Sequence, residues 1–71
     1  MTFLQWLHDQ RGRPDRVGDF ARDWVMDRER PRAPRLVEMV AYLEDHGACE
    51  AALRASIAAW REWLVALHSQ V

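Results

Sequence analysis

The sequence predicts an all-α fold, a small bundle of four to five helices whose last helix is the longest. Three observations carry that expectation. Apolar residues recur at three- and four-residue intervals in four successive stretches. Residues that start or stop helices sit at the edges of those stretches. No segment alternates with period two over a useful length, and no Asn-Gly or Asp-Gly turn is present to join two strands.

The first helix begins at Thr2, where Thr2 and Gln5 have the spacing of a capping box. Phe3, Trp6, Leu7 and Gln10 then share one face, with Leu4 on its shoulder. Arg11-Gly12-Arg13-Pro14 ends it, because proline disfavours helical backbone in the residue before it. Asp15 can accept the free N–H groups that open the second helix. Its stripe is Val17, Phe20, Ala21, Trp24 and Val25, and it stops near Arg28. Arg30-Pro31-Arg32-Ala33-Pro34-Arg35 then forms an extended polar linker.

Pro34 suits the first turn of the third helix, whose stripe is Leu36, Met39, Val40 and Leu43 and which closes at Gly47 behind His46. The fourth helix runs over about residues 49–68, with Leu53, Ile57, Trp60, Trp63, Leu64 and Leu67 on one arc. Each helix carries one apolar stripe, so the four stripes are expected to meet at a common centre. Burying a large apolar side chain contributes about 1.5–3 kcal/mol. Four tryptophans and two phenylalanines therefore offset the poor surface-to-volume ratio of a chain of 71 residues. Trp24 and Trp60 sit centrally on their stripes and Trp63 at the edge of its arc.

That length is one domain, residues 1–71. No apolar run approaches the roughly 20 residues a bilayer requires. Met1-Thr2-Phe3 leads directly into amphipathic sequence, and the single cysteine, Cys49, has no partner for an internal disulfide. A cytoplasmic location is the expectation. A net charge of −1 argues against bulk electrostatic attraction to nucleic acid. Residues 1–35 nevertheless hold eight arginines against six carboxylates, and residues 36–71 hold two against five. There is no lysine, which fits an arginine-favouring genome as well as selection for bidentate contacts.

In register, the residues Thr2-Phe3-x-x-Trp6-Leu7-x-x-x-Arg11, Asp15-x-Val17-x-Asp19-Phe20-Ala21, Pro31, Tyr42-Leu43-Glu44 and Ala59-Trp60 resemble the YozE family of small bacterial proteins. The resemblance spans nearly the whole chain. It implies a fold like that of sterile alpha motif domains, with a long C-terminal helix, and brings no catalytic site to carry over. The arginine-rich linker departs from the family pattern, so any function drawn from it belongs to this chain.

No Gly-rich phosphate loop, G-x-S-x-G elbow or H-E-x-x-H pair occurs. Ser56 is expected to bond the backbone one turn back. Cys49 and His46 lack a third group to orient them. Structural zinc asks for four ligands at paired spacing, and His46 suits the C-terminal end of the third helix instead. The expectation is a protein that is not an enzyme, with no cofactor, no metal and no small-molecule substrate.

What remains are three surface features. Asp15, Asp19, Asp23 and Asp27 recur every four residues, and Asp19 and Asp23 point away from the apolar stripe. They are either a solvated face held by local arginine pairs or a ridge for a basic partner. Arg11, Arg13 and Arg16 surround the first loop; Arg28, Arg30, Arg32 and Arg35 surround the second, which leads into a helix N-terminus that favours anions. Ala52, Ala55, Ala59 and Ala66 share a flank of the fourth helix beside Trp63, expected buried; if open, Trp63, Ala59 and Ala66 form an apolar contact patch. These features favour a protein-interaction module, self-associating or docking an unknown protein, with Arg28, Arg30, Arg32 and Arg35 of one molecule meeting Asp19 and Asp23 of the next. The alternative is weak nucleic-acid binding through the second arginine group, opposed by the aspartate row and by the lack of interleaved aromatics.

Overall fold

The computed structural model describes residues 1–69 and contains four helices: α1 (Phe3–Gln10), α2 (Arg16–Met26), α3 (Leu36–Asp45) and α4 (Glu50–His68). Helix α4 is the hub. It packs against each of the other three, α1 also packs against α2, and α3 packs its backbone on α4 while Tyr42 reaches Trp24 and Asp27 at the end of α2.

The helix starts follow from local chemistry. Thr2 Oγ1 accepts the Gln5 N–H while Gln5 Oε1 accepts the Thr2 N–H, completing the capping box. Asp15 Oδ1 accepts the Gly18 N–H at 3.0 Å. Gly47 adopts φ +74°, the left-handed conformation that closes α3 at least cost when no Cβ is present. Two boundaries move inward. Helix α2 ends at Met26, because Asp27 takes extended backbone and turns its carboxylate onto the Glu29 N–H. Pro34 stands outside α3, before the extended cap residue Arg35, rather than in its first turn.

The core comprises Phe3, Trp6 and Leu7 of α1, Val17, Phe20, Ala21 and Trp24 of α2, Met39 of α3, and Ala55 and Ala59 of α4. The stripes of the first two helices are thus the buried ones. Gly18 belongs to the same story. A Cβ there would overlap the Arg13 carbonyl oxygen and lie 2.8 Å from the Arg13 carbonyl carbon, so the α1–α2 loop crosses α2 at a point that only glycine allows.

Helix α4 departs from its expected arc. Ile57 is 37 % exposed and Leu64 42 %, whereas Ala59 and Ser56 are both at 0 %. The small-residue flank faces the bundle and part of the large-residue arc faces out. Three helices crowd onto α4, and only small side chains allow their backbones close enough; the bulkier residues are turned outward or to the rim of the contact. Ser56 Oγ donates to the Leu53 carbonyl at 2.6 Å, which satisfies the one buried polar side chain among the described residues.

Candidate functional site

The packing of α2 on α4 leaves an open groove of about 410 Å³. Phe20, Trp24 and Leu43 form its floor, Ala48, Ala51, Ala52 and Ala55 its far wall, and Asp19, Asp23 and Asp27 its near wall, with Arg16 at one end. Its shape follows from the chain. The four-residue spacing sets the aspartates along one side of α2, next to the stripe that supplies Phe20 and Trp24. The alanines opposite are too small to close the space.

The three carboxylates differ. Asp19 pairs with Arg22 one turn on, at a site open to water. Asp23 is exposed and makes no hydrogen bond or ion pair among the described residues. Asp27 is half-buried and accepts the Tyr42 hydroxyl at 2.7 Å, tying the end of α2 to α3. That hydrogen bond, aided by the Glu29 N–H, holds the Asp27 carboxyl below the usual carboxylate range and pushes the Tyr42 phenol up to about 12.

The four arginines of the second loop do not form one patch. Arg30 Nε donates to the Trp24 carbonyl at 2.9 Å and is half-buried, so it finishes α2. Arg35 pairs with Glu38 at 3.2 Å. Glu38 Oε1 also accepts the Arg35 backbone N–H at 2.9 Å, which sets a carboxylate over the helix end expected to attract anions. Arg28 and Arg32 are exposed and make no ion pair among the described residues. Arg32 instead borders a second cleft, of about 430 Å³, walled by Phe3, Trp60, Trp63 and Pro34. The expected four-residue basic surface loses Arg30 to the end of α2, and Arg35, although exposed, has its charge offset by Glu38.

Of the first arginine group Arg13 is turned inward, while Arg11 and Arg16 are exposed. Arg13 binds Asp15 at 2.7 Å and Glu62 of α4 at 2.8 Å, clamping the first loop to the last helix. Arg22 donates to the Arg11 and Arg13 carbonyls. Arg13, which reads as part of a charge cluster in sequence, and Arg22 serve as loop fasteners.

The alanine flank is buried as expected, so the open contact patch does not form. Ala59 is at 0 % exposure and cannot be a contact residue, Ala55 is buried, and Ala66 is half-buried. Trp63 is half-buried, its ring centroid 5.5 Å from Phe3 and 4.9 Å from Trp60, and its Nε1 donates to the Met1 carbonyl at 3.3 Å. Exposed apolar surface lies on the opposite face of α4, at Ile57, Leu64 and Val65. Sequence periodicity had placed Ile57 and Leu64 inside, so it missed this stripe.

His46 sits past the end of α3, with Nδ1 2.8 Å from the Tyr42 carbonyl and its ring stacked on Tyr42 at 4.0 Å. Cys49 is exposed and stands at the N-cap position of α4 without a side-chain hydrogen bond. Among the described residues no three His, Cys, Asp or Glu side chains converge as a metal site, and no helix is long and apolar enough to cross a membrane.

Four helices around one small core, with the longest last, define a small helical module of sterile-alpha-motif-like fold. The chain matches the family described as the YozE SAM-like fold over residues 2–65, and it belongs to that family. No match was found among curated proteins or among solved structures.

Proposed function

We propose that this chain works by binding another protein and not by catalysis, and that the α2–α4 groove is the binding face. The observation that carries the reading is the groove's composition: an apolar floor of Phe20, Trp24 and Leu43 edged by Asp19, Asp23 and Asp27. Such a surface suits a helical segment with apolar residues and arginines on one face, the apolar side chains supplying affinity and the charges orientation. Small alanines on the far wall let a helix backbone come close. The partner is a second copy of the chain or another cytosolic protein. The exposed, unpaired Cys49 fits a reducing compartment.

Titration with a helical peptide bearing arginines and leucines on one face tests the groove. Saturable amide shifts at Phe20, Asp23, Leu43 and Ala52, abolished by Asp23→Arg, support it; no saturable shift at those residues removes it. The nucleic-acid reading rests on Arg28 and Arg32 alone, since Glu38 covers the start of α3. Absence of binding to duplex and single-stranded DNA in low salt would retire that alternative.

A further inference from the structure

We infer that the groove is filled by the outward face of α4 from a second copy of this chain. The inference rests on the groove being a protein-binding face. On the water side of α4, Glu50, Arg54, Ile57, Arg61, Leu64 and His68 follow one another at three- and four-residue steps, with Val65 beside them. Ile57, Leu64 and Val65 are three of the exposed large apolar residues, and Arg54 and Arg61 alternate with them. This is the basic, apolar helical ridge that an apolar groove with an acidic edge would receive.

The spacing fits as well as the charge. Along α2 and its C-cap residue the groove presents Arg16, then Asp19, Asp23 and Asp27. Along α4 the ridge presents Glu50, then Arg54, then Arg61. Both series span eleven residues, about 16 Å of helix. Laid parallel, Glu50 of one copy falls opposite Arg16 of the other, Arg54 opposite Asp19 and Arg61 opposite Asp27. Ile57 then falls level with Asp23 and Trp24 over the apolar floor, and Leu64, about 10 Å further on, lies just past Asp27 at the end of the groove. Antiparallel alignment sets Glu50 against Asp27 and is repulsive.

The groups already paired do not block this. Arg54 holds Glu50 and Asp19 holds Arg22, but both pairs are open to water and exchange readily. Arg61 has no ion-pair partner among the described residues, while neighbouring Glu62 is taken by Arg13. The α2–α3 corner is the weaker donor, since Arg30 is held by the Trp24 carbonyl and no exposed large apolar residue alternates with Arg28, Arg32 and Arg35.

Sedimentation velocity on the full chain, from micromolar to millimolar concentration and at low and high salt, tests the inference. Two variants alter exposed positions only: a ridge variant, Ile57→Asp with Leu64→Asp, and a groove variant, Asp23→Arg with Ala51→Arg. Circular dichroism checks that each folds. The expected result is salt-sensitive assembly of the wild type and loss of affinity by about tenfold or more in each variant alone. An equimolar mixture of the two variants then recovers a complex, because the intact ridge of one meets the intact groove of the other. A wild type that stays monomeric, assembly that survives both variants, or a mixture that fails to associate overturns it. Assembly lost in Arg28→Glu with Arg32→Glu but kept in the ridge variant overturns it in favour of the α2–α3 corner. If the peptide still enters the groove of a monomeric wild type, the binding face stands and only the second copy is excluded.

Discussion

The two halves of α4 hold the bundle together by opposite means. Its first half offers Ala52, Ala55, Ser56 and Ala59, residues whose role is to be small enough for α2 and α3 to come close. Its second half offers Trp60 and Trp63, whose rings fill the space against Phe3 of α1 at centroid distances of 4.8 and 5.5 Å. The first half sets the positions of backbones; the second fills the space against α1 with aromatic rings. The difference teaches that side-chain volume alone does not mark the core face of a helix. Where several helices converge, the face with the least volume is the one that fits.

Removing volume where volume is scarce should have the largest effect. Trp24, 3 % exposed and stacked edge-on against Tyr42, lies where α2 meets α3. Trp24→Ala is expected to cost about 3–5 kcal/mol, enough to leave a domain of this size largely unfolded in a urea titration. Adding volume at the alanine half comes next. Ala59→Leu should cost about 1–3 kcal/mol by overpacking, and Gly18→Ala should also destabilise by forcing the α1–α2 loop off α2. A stable Ala59→Leu protein would break the comparison, since it would mean the small face has room to spare.

A smaller effect is expected at the helix start. Thr2→Ala removes one arm of the capping box and should cost about 1 kcal/mol, measured as a lower midpoint in thermal unfolding. Ile57→Ser, on the outward face, should change stability by no more than about 0.5 kcal/mol. Together with Ala59→Leu it reverses the ordering that residue size alone would suggest.

The Asp27–Tyr42 hydrogen bond sharpens the picture at the α3 edge through pH. Asp27 is depressed in the folded chain, so its contribution is complete above the ordinary carboxylate range and is lost as pH falls through its folded value. Tyr42 is raised to about 12, so its contribution is present below its unfolded value near 10 and is lost as pH rises through the folded one. Tyr42 is the one tyrosine of the chain, so phenolate absorbance reads it alone. Its midpoint should lie near 12 and fall toward about 10 in Asp27→Asn. An unshifted midpoint in that variant would show that the hydroxyl does not depend on Asp27.

Much of the fold could be read in advance where the signal is local. Thr2 with Gln5, Asp15, and Gly47 mark three helix ends because capping and a left-handed turn depend on a few neighbouring residues. The stripe Val17, Phe20, Ala21, Trp24 was legible because α2 is buried along one face in the ordinary way. The candidate site was legible only in its aspartates. Its apolar floor joins residues from α2, α3 and α4, and its width depends on alanines whose significance a hydropathy pattern underrates. The arginines misled for a related reason. Arg13, Arg22, Arg30 and Arg35 look like surface charge until their carbonyl and carboxylate partners are in place, and Glu62 is 49 residues from Arg13 along the chain.

Sequence by itself determined the helical class, the four amphipathic stretches, the caps at Thr2 and Asp15, the closing turn at Gly47 and the side of α2 that turns inward, because 3.6-residue periodicity and end chemistry act over one or two turns. Tertiary structure decided which face of α4 meets the bundle, why Gly18 must be glycine, which arginines remain free, and that Asp19, Asp23 and Asp27 border an apolar groove. Those outcomes depend on how closely helices can approach one another, and that distance is a property of the packed molecule.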